Sequence, residues 1–155
     1  MAKISSMGPG SEIPECEWQT LRALSRLSAE TGMSLHVHTA VPMTPEQVLS
    51  VARCALDMGC TIGFDSWDSL VYILPDNYDR LKALVELICR GYSDQIVLGH
   101  DVSDKSHSAS FGYTGYTGFA VNALPKLREM QDIISEEVIG KLVCGNPARL
   151  LAFDV

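Results

Sequence analysis

Short apolar strands alternate with amphipathic helices along most of this chain, and this alternation constrains the fold more than any other feature. Three helices are predicted over residues 14–32, 44–59 and 76–91, and three strands over residues 34–39, 60–65 and 95–99. Parallel strands are the ones that need a helix between them. The order therefore predicts an α/β fold built from parallel βα units, with further helical segments closing the chain after residue 119.

The first predicted helix shows how its buried face is assigned. Pro14 suits the first turn, Gly32 suits the C-terminal stop, and apolar residues recur at three-residue steps between them. The predicted stripe consists of Trp18, Leu21, Leu24 and Leu27.

Polar side chains follow each predicted strand where it ends. His38 ends the first strand, Asp65 and Trp67 follow the second, and His100 and Asp101 follow the third. The carboxyl ends of parallel strands meet at one edge of a sheet, where such folds place their functional groups. The sequence therefore predicts one site along this rim.

The pair His36 and His38 leaves three interpretations open. Residues two apart in a strand point to the same face, so both imidazoles can bind one metal. Alternatively, one is a ligand beside a bystander, or both form ordinary hydrogen bonds.

The composition disfavours two classes of binding partner. The chain has 155 residues, a net charge of -7 and a pI near 4.9, which disfavours nucleic acid and anionic membranes as partners because both need clustered basic residues. No apolar run approaches the ~20 residues of a membrane helix. Five cysteines without a CxxC spacing are typical of reduced thiols, buried for the most part, in a cytoplasmic protein.

The first twelve residues are small, polar and glycine-containing. They are interpreted as a disordered leader or tag (1–12), which leaves one domain over residues 13–155.

Several segments in order resemble the C-terminal half of phosphotriesterase-like metal hydrolases of the amidohydrolase superfamily. They read VHTA, IGFD, GYSDQIVLGHDV, FGYTGYTGF, ALPKLRE and GNPARLLAF. The resemblance implies a (β/α)8 TIM-type barrel with two divalent metals, zinc being expected, at the C-terminal rim. It also implies hydrolysis of small-molecule ester, lactone or phosphotriester substrates.

The resemblance also assigns residues. His38 matches a metal-binding histidine on the fifth barrel strand, and Asp101 matches the eighth-strand aspartate that binds metal and takes up a proton. The family's other ligands are an HxH on strand one, a bridging carboxylated lysine on strand four and a histidine on strand six. The resemblance places the substrate pocket near Asp65, Trp67, Tyr113 and Tyr116.

The remaining histidines receive structural interpretations. His36 is expected to support the site, and His100 is expected to point away from Asp101 towards the outer layer. His107 is expected to be solvated in a mobile loop.

The match to the family is partial, because such a barrel takes ~250 residues. Strands one to four, with their HxH and lysine, find no counterpart, and the sixth strand is missing between His38 and Ile62. The fold is thus predicted to be a partial or rearranged barrel, with open edges covered by self-association or by another segment. The alternative function is a catalytically inactive fragment or scaffold that self-associates.

Overall fold

The computed structural model describes residues 2–7, 13–33, 35–39, 45–65, 67 and 77–152. For residues 2–7, 36, 38, 39, 45 and 47 it describes the backbone alone.

Helices and strands alternate through the first hundred residues, as predicted. The order is β1 (Ala2–Met7), α1 (Glu15–Thr31), β2 (Leu35–Thr39), α2 (Pro45–Asp57), β3 (Ile62–Phe64), α3 (Asn77–Cys89) and β4 (Ile96–Leu98). All three predicted strands are present as β2, β3 and β4. The predicted α/β class with parallel strands is confirmed.

The described strands form two parallel pairs. β1 pairs with β2 in a register that places Lys3 opposite His36, and β3 pairs with β4 with Gly63 opposite Val97. β2 lies next to β3, but no hydrogen-bonded ladder joins these two strands in the described part of the chain. The single three-stranded sheet expected from the sequence is thus replaced by two neighbouring pairs.

β1 is a strand that the sequence pattern did not predict. Ala2–Met7 lies within the segment interpreted as disordered, yet its backbone pairs with β2. The segment AKISSM carries only a short strand signal, in which Ala2 and Ile4 alternate with polar residues, and the bonds that form the strand join backbone groups present in any sequence. The division of the chain at residue 12 stays a prediction for the other residues of the segment.

The rest of the described chain is helical. Three short 3₁₀ turns follow β4 at Lys105–His107, Ala109–Phe111 and Gly115–Thr117. A π-helix (Phe119–Ala123) then leads into α4 (Leu124–Glu129). The chain closes with α5 (Glu136–Gly140), a second π-helix (Lys141–Gly145) and α6 (Asn146–Leu151). Ser135 caps α5 by accepting a hydrogen bond from the Val138 amide at 3.3 Å.

One apolar core joins the strands to both groups of helices. Its fully buried side chains are Leu21, Leu35, Val51, Leu56, Leu84, Leu87, Ile96, Leu127, Ile134, Ile139 and Leu142. Burial of one such side chain contributes about 1.5–3 kcal/mol to folding. The core therefore holds the carboxyl ends of β3 and β4 in place.

The predicted stripe of α1 is only partly buried. Leu21 is fully buried and Trp18 and Leu24 are half-buried, whereas Leu27 is 42% exposed. A three-residue step turns only 300° around a helix, so nine residues separate Trp18 and Leu27 by half a turn. Ser25 and Ser28 occupy the buried face instead, where the Ser28 hydroxyl donates to the carbonyl of Met33 at 2.6 Å.

The cysteines are less buried than expected. Cys60 is buried and Cys54 half-buried, but Cys16, Cys89 and Cys144 are exposed, and all five are free thiols.

Candidate functional site

The carboxyl ends of β3 and β4 lie side by side. The amide of Gly99 donates to the carbonyl of Phe64 at 3.2 Å, which extends the strand pairing by one residue. A methyl group placed on Gly99 would stand 3.4 Å from the Cβ atom of Asp65. The segments that follow these strands, with Asp65 and Asp101, therefore leave the sheet at a common rim.

Asp101 has an unusual backbone conformation. Its φ angle is 56°, and it is the one non-glycine residue with positive φ among those described. Aspartate tolerates this left-handed region better than most residues do. Such conformations concentrate at functional sites, where the surrounding structure imposes them. Asp101 is exposed at the point where the chain turns away from β4.

A small cleft opens beside Asp101. It is shallow and open to solvent, and its enclosed space holds about one water molecule. Its lining combines polar groups with apolar walls and consists of Trp67, His100, Asp101, Val102, His107, Tyr113, Thr114 and Gly115. The loop after β4 thus folds back over the rim.

Aromatic rings pack against one another at the rim. The Trp67 indole donates to the carbonyl of Phe64 at 3.0 Å, and its ring lies 6.1 Å from Phe64 and 5.9 Å from Phe119. The His100 ring meets Phe119 edge to face at 6.3 Å. These contacts tie the ends of both strands to the first π-helix. Favourable aromatic pairs of this kind stabilise a fold by about 0.5–1.5 kcal/mol each.

His100 differs from its predicted position. It lines the same cleft as Asp101, because the left-handed turn at Asp101 breaks the strand alternation that would send the two side chains to opposite faces. Its Nε2 atom is buried without a hydrogen-bond partner in the described part of the chain.

His107 also corrects its prediction. It is half-buried and lines the cleft, because the 3₁₀ turns fold the loop back over the rim.

The four predicted pocket residues divide into two groups. Trp67 and Tyr113 line the cleft with Asp101. Tyr116 is 75% exposed and contacts the outer side of His100 at 6.3 Å, and Asp65 stands half-buried at the rim outside the cleft lining. Their role in binding a substrate stays a prediction.

Asp104 is a second carboxylate on this loop with a different environment. It accepts hydrogen bonds from the hydroxyl and the backbone amide of Ser106, and these bonds lower its pKa. It does not line the cleft. Asp104 therefore serves as a nearby acidic residue against which Asp101 can be compared.

The strand order locates a residue that the sequence analysis missed. The resemblance predicts that β2, which carries His38, corresponds to the fifth barrel strand, and β1 is its parallel neighbour. Consecutive strands are neighbours in a barrel of this type, so β1 stands where the fourth strand is expected. β1 contains one lysine, Lys3. A short segment with two serines gave only a short signal of a strand, and its pairing with β2 reveals the match.

The described residues fit a metal centre only in part. Asp101 supplies oxygen donors at the rim, but the side chains of His38 and Lys3 lie outside the described part of the chain. Among the described side chains, no three of the His, Cys, Asp or Glu type gather as metal ligands do. The described side chains alone therefore do not make up a metal site.

No helix in the described part of the chain is both long and apolar enough to cross a membrane.

Comparison with known protein families identifies this arrangement. A sequence profile of the Phosphotriesterase family matches residues 49–151, which span α2 to α6. The N-acetyltaurine hydrolase of Tetraodon nigroviridis is 35% identical over 80 residues, covering 52% of this chain and 22% of that protein. The mouse N-acetyltaurine hydrolase is 26% identical over 149 residues, covering 90% of this chain and 41% of that protein.

Solved structures give the same result for the fold. The organophosphorus hydrolase from Deinococcus radiodurans superposes with a TM-score of 0.63 at 25% sequence identity, covering 97% of this chain and 54% of that one. A mutant of a phosphotriesterase-like lactonase from the same organism superposes equally well. The likeness of nearly the whole chain to about half of these phosphotriesterase-like barrels confirms the predicted partial TIM-type barrel.

A third relative aligns along nearly the whole chain. A phosphotriesterase-related protein of Nematostella vectensis is 22% identical over 184 residues, covering 97% of this chain and 52% of that protein. The alignment is longer than the 155 residues of this chain, so the relative carries internal residues that have no counterpart here. The chain spans about half, or less, of the curated relatives it matches. With its profile match, its barrel likeness and its rim, the chain belongs to the phosphotriesterase family.

Proposed function

We propose that this chain contributes to a metal-dependent hydrolase of small molecules with ester, lactone or phosphotriester bonds. Membership of the phosphotriesterase family supports a hydrolase that uses a divalent metal. Zinc is the metal we propose. The observation that carries the proposal is the placement of Asp101 beyond β4, in a left-handed turn beside a small cleft.

Within this proposal, Asp101 has two roles. Its carboxylate would hold a metal together with His38 on β2, and it would accept the proton that the attacking water gives up. Trp67 and Tyr113 form apolar walls for the substrate. Asp65 and Tyr116 stand at the border of the cleft, where we propose that they contact larger substituents.

Lys3 extends the proposed ligand set. The pairing of β1 with β2 supports a fourth-strand position for this lysine. In its carboxylated form, such a lysine presents two oxygen donors of the kind that bridge a pair of divalent ions. Lys3, His38 and Asp101 would then supply half of the six ligand residues that the resemblance implies.

The names of the relatives broaden the substrate class. Two are hydrolases of N-acetyltaurine, and the structural neighbours are named as an organophosphorus hydrolase and a lactonase. We therefore add amide bonds to the substrates worth testing.

The missing ligands must come from outside the described residues. We propose that a second copy of the chain or another segment covers the open edges of β1 and β4 and completes the site. Five free thiols support a reducing, cytoplasmic location.

Hydrolysis measurements test the proposal. The protein is treated with a chelator, reloaded with zinc, and offered a lactone, an aryl ester, paraoxon and N-acetyltaurine. We expect turnover of at least one substrate and a loss of about 100-fold or more in Asp101→Asn. Asp104→Asn is the matched control, because it removes a nearby charge outside the cleft, and it should retain activity.

The catalytically inactive scaffold is the second candidate. It is favoured by the lack of a three-residue ligand group among the described side chains. The absence of turnover with every substrate, or equal turnover in Asp101→Asn, would contradict the hydrolase and support the scaffold.

A further inference from the structure

His107 is a polar group of the cleft that the proposed metal chemistry does not use. It is half-buried, lies in the 3₁₀ turn Lys105–His107, and its ring stands 5.7 Å from that of Tyr113 on the cleft wall. It is six residues beyond Asp101 and belongs to the loop that covers the rim. Its position therefore allows it to contact whatever enters the cleft.

The local hydrogen bonds determine which ring nitrogen of His107 carries the proton. The backbone amide of Ser103 faces Nδ1 at 3.4 Å, and the Ser103 hydroxyl lies at the same distance. Since a backbone amide can only donate, this contact favours Nδ1 as the acceptor, and with it the tautomer that has no proton on Nδ1. The neutral imidazole then has its proton on Nε2. The loop thus holds His107 as a hydrogen-bond donor through the nitrogen that Ser103 leaves free.

The other residues of the cleft restrict the acceptor. In the metal-free protein the Asp101 carboxylate in the lining would repel a second anion at short range. Trp67, Val102 and Tyr113 offer apolar surface, and the cleft is open to solvent, so a compact group can approach this lining from outside. A neutral acceptor oxygen on a small apolar body meets these conditions, and the carbonyl of an ester, lactone or amide is such a group.

We infer that His107 is a specificity-determining residue that donates its Nε2 hydrogen to the carbonyl oxygen of a small ligand in the cleft. The inference rests on the cleft being the binding pocket of the proposed hydrolase. It needs no metal, so it can be tested apart from turnover.

The test uses chelator-treated, metal-free protein and two ring compounds of equal size. The probe 2-pyrrolidinone carries a carbonyl and resists hydrolysis, and tetrahydrofuran lacks the carbonyl. Long-range proton–nitrogen NMR reports the tautomer of His107 and its response to each compound. We expect an Nε2-protonated ring whose Nε2 signal shifts on titration with 2-pyrrolidinone and much less with tetrahydrofuran.

Two substitutions separate donation from a structural role. Glutamine places an amide donor near the position of Nε2, whereas asparagine reaches only to that of Nδ1. His107→Gln should keep the affinity for 2-pyrrolidinone within about twofold, and His107→Asn should weaken it by about threefold to tenfold, the worth of one neutral hydrogen bond. The Trp67 indole signal reports binding in both variants, and circular dichroism checks that both are folded.

Three results would overturn the inference. They are an Nδ1-protonated ring, an unchanged affinity in His107→Asn, and tighter binding of acetate than of 2-pyrrolidinone, since acetate would mark an anion site. If the zinc-loaded wild-type protein hydrolyses no substrate but the metal-free protein still binds 2-pyrrolidinone through His107, the proposed function is contradicted and this inference stands.

Discussion

Asp101 combines a left-handed backbone with a carboxylate that the proposed site needs. Glycine adopts this conformation without the steric cost that a Cβ atom brings, so a chain under selection for stability alone would favour glycine here. The aspartate is understandable if its side chain binds a metal, since functional sites retain strained residues for their chemistry.

Two substitutions at this position isolate the backbone effect. Asp101→Gly and Asp101→Ala both remove the carboxylate, but only alanine keeps a Cβ atom at a φ of 56°. We expect the glycine variant to be more stable than the alanine variant by about 1 kcal/mol. Urea unfolding of the two variants measures this difference, and equal stabilities would mean that the turn carries no strain.

The five cysteines should differ in reactivity according to burial. Burial raises the pKa of the Cys54 thiol, partly offset by the nearby Arg22, and Cys60 is enclosed in the core. Because the thiolate is the reactive form, a raised pKa slows alkylation. With iodoacetamide at pH 8, Cys16, Cys89 and Cys144 should be modified first, as followed by peptide mass spectrometry. Early modification of Cys54 or Cys60 would contradict the burial described here.

At the scale of secondary-structure elements, side chains fasten the helices to the strands they flank. Asn146 at the start of α6 is buried, and its amide donates to the carbonyls of Ser93 and Ile96, both at 2.7 Å. These carbonyls lie where the chain enters β4. These two hydrogen bonds therefore fix the amino end of β4, and Asp101 follows the carboxyl end of the same strand.

Removing the two hydrogen bonds of Asn146 should destabilise the fold. Asn146→Ala leaves two carbonyls without their partner, and we expect a loss of about 1–3 kcal/mol in the free energy of unfolding. Arg149→Ala is the matched control on the same helix, because Arg149 also donates to a backbone carbonyl, that of Asp94, but is exposed. Its loss should stay below about 1 kcal/mol. Equal losses of unfolding free energy in the two variants would contradict a special contribution from the buried hydrogen bonds of Asn146.

Tyr92 joins α2 to the segment after α3. Its hydroxyl donates to the carboxylate of Asp57, the last residue of α2, and this hydrogen bond raises the pKa of Tyr92 above its ordinary value of about 10. A group whose pKa is raised by folding stabilises the fold below its unfolded pKa, and this contribution disappears as the pH rises through the folded pKa.

Tyr92→Phe should therefore lower stability at neutral pH, and the gap to the wild type should close above about pH 10. Urea midpoints of both proteins between pH 7 and pH 11 measure this gap. A constant gap across the range, or no gap at pH 8, would show that the hydrogen bond does not stabilise the fold.

These elements also show what the sequence could and could not predict. The spacing of apolar residues, with Pro, Gly and capping residues at the ends, predicted α2, α3, β3 and β4, because apolar residues at regular spacing report burial directly. β1 escaped detection, because backbone pairing with β2 creates it. His107 was misplaced because the path of a polar loop depends on contacts with the rim rather than on its own residues. Asp101 was predicted as a site residue both from its place after a strand and from the resemblance, whereas its left-handed backbone appears only in the structure.

At the scale of the whole molecule, the chain represents about half of a phosphotriesterase-like barrel. Its described strands form two parallel pairs, and the proposed ligands Lys3, His38 and Asp101 are spread over β1, β2 and the end of β4. Unpaired strand edges are rarely left exposed to solvent. We therefore expect an assembly in which a second copy or another segment covers these edges and completes the metal site.

The content of tightly bound metal per assembly tests this account most directly. The protein is stripped with a chelator, reloaded with zinc in bicarbonate buffer and separated from free metal. Elemental analysis then gives the bound metal, and light scattering gives the mass of the assembly. We predict at least one tightly held divalent ion per assembly, lost in Asp101→Asn and His38→Ala but kept in Asp104→Asn. Less than one ion per assembly, or equal metal in Asp101→Asn, would contradict the account.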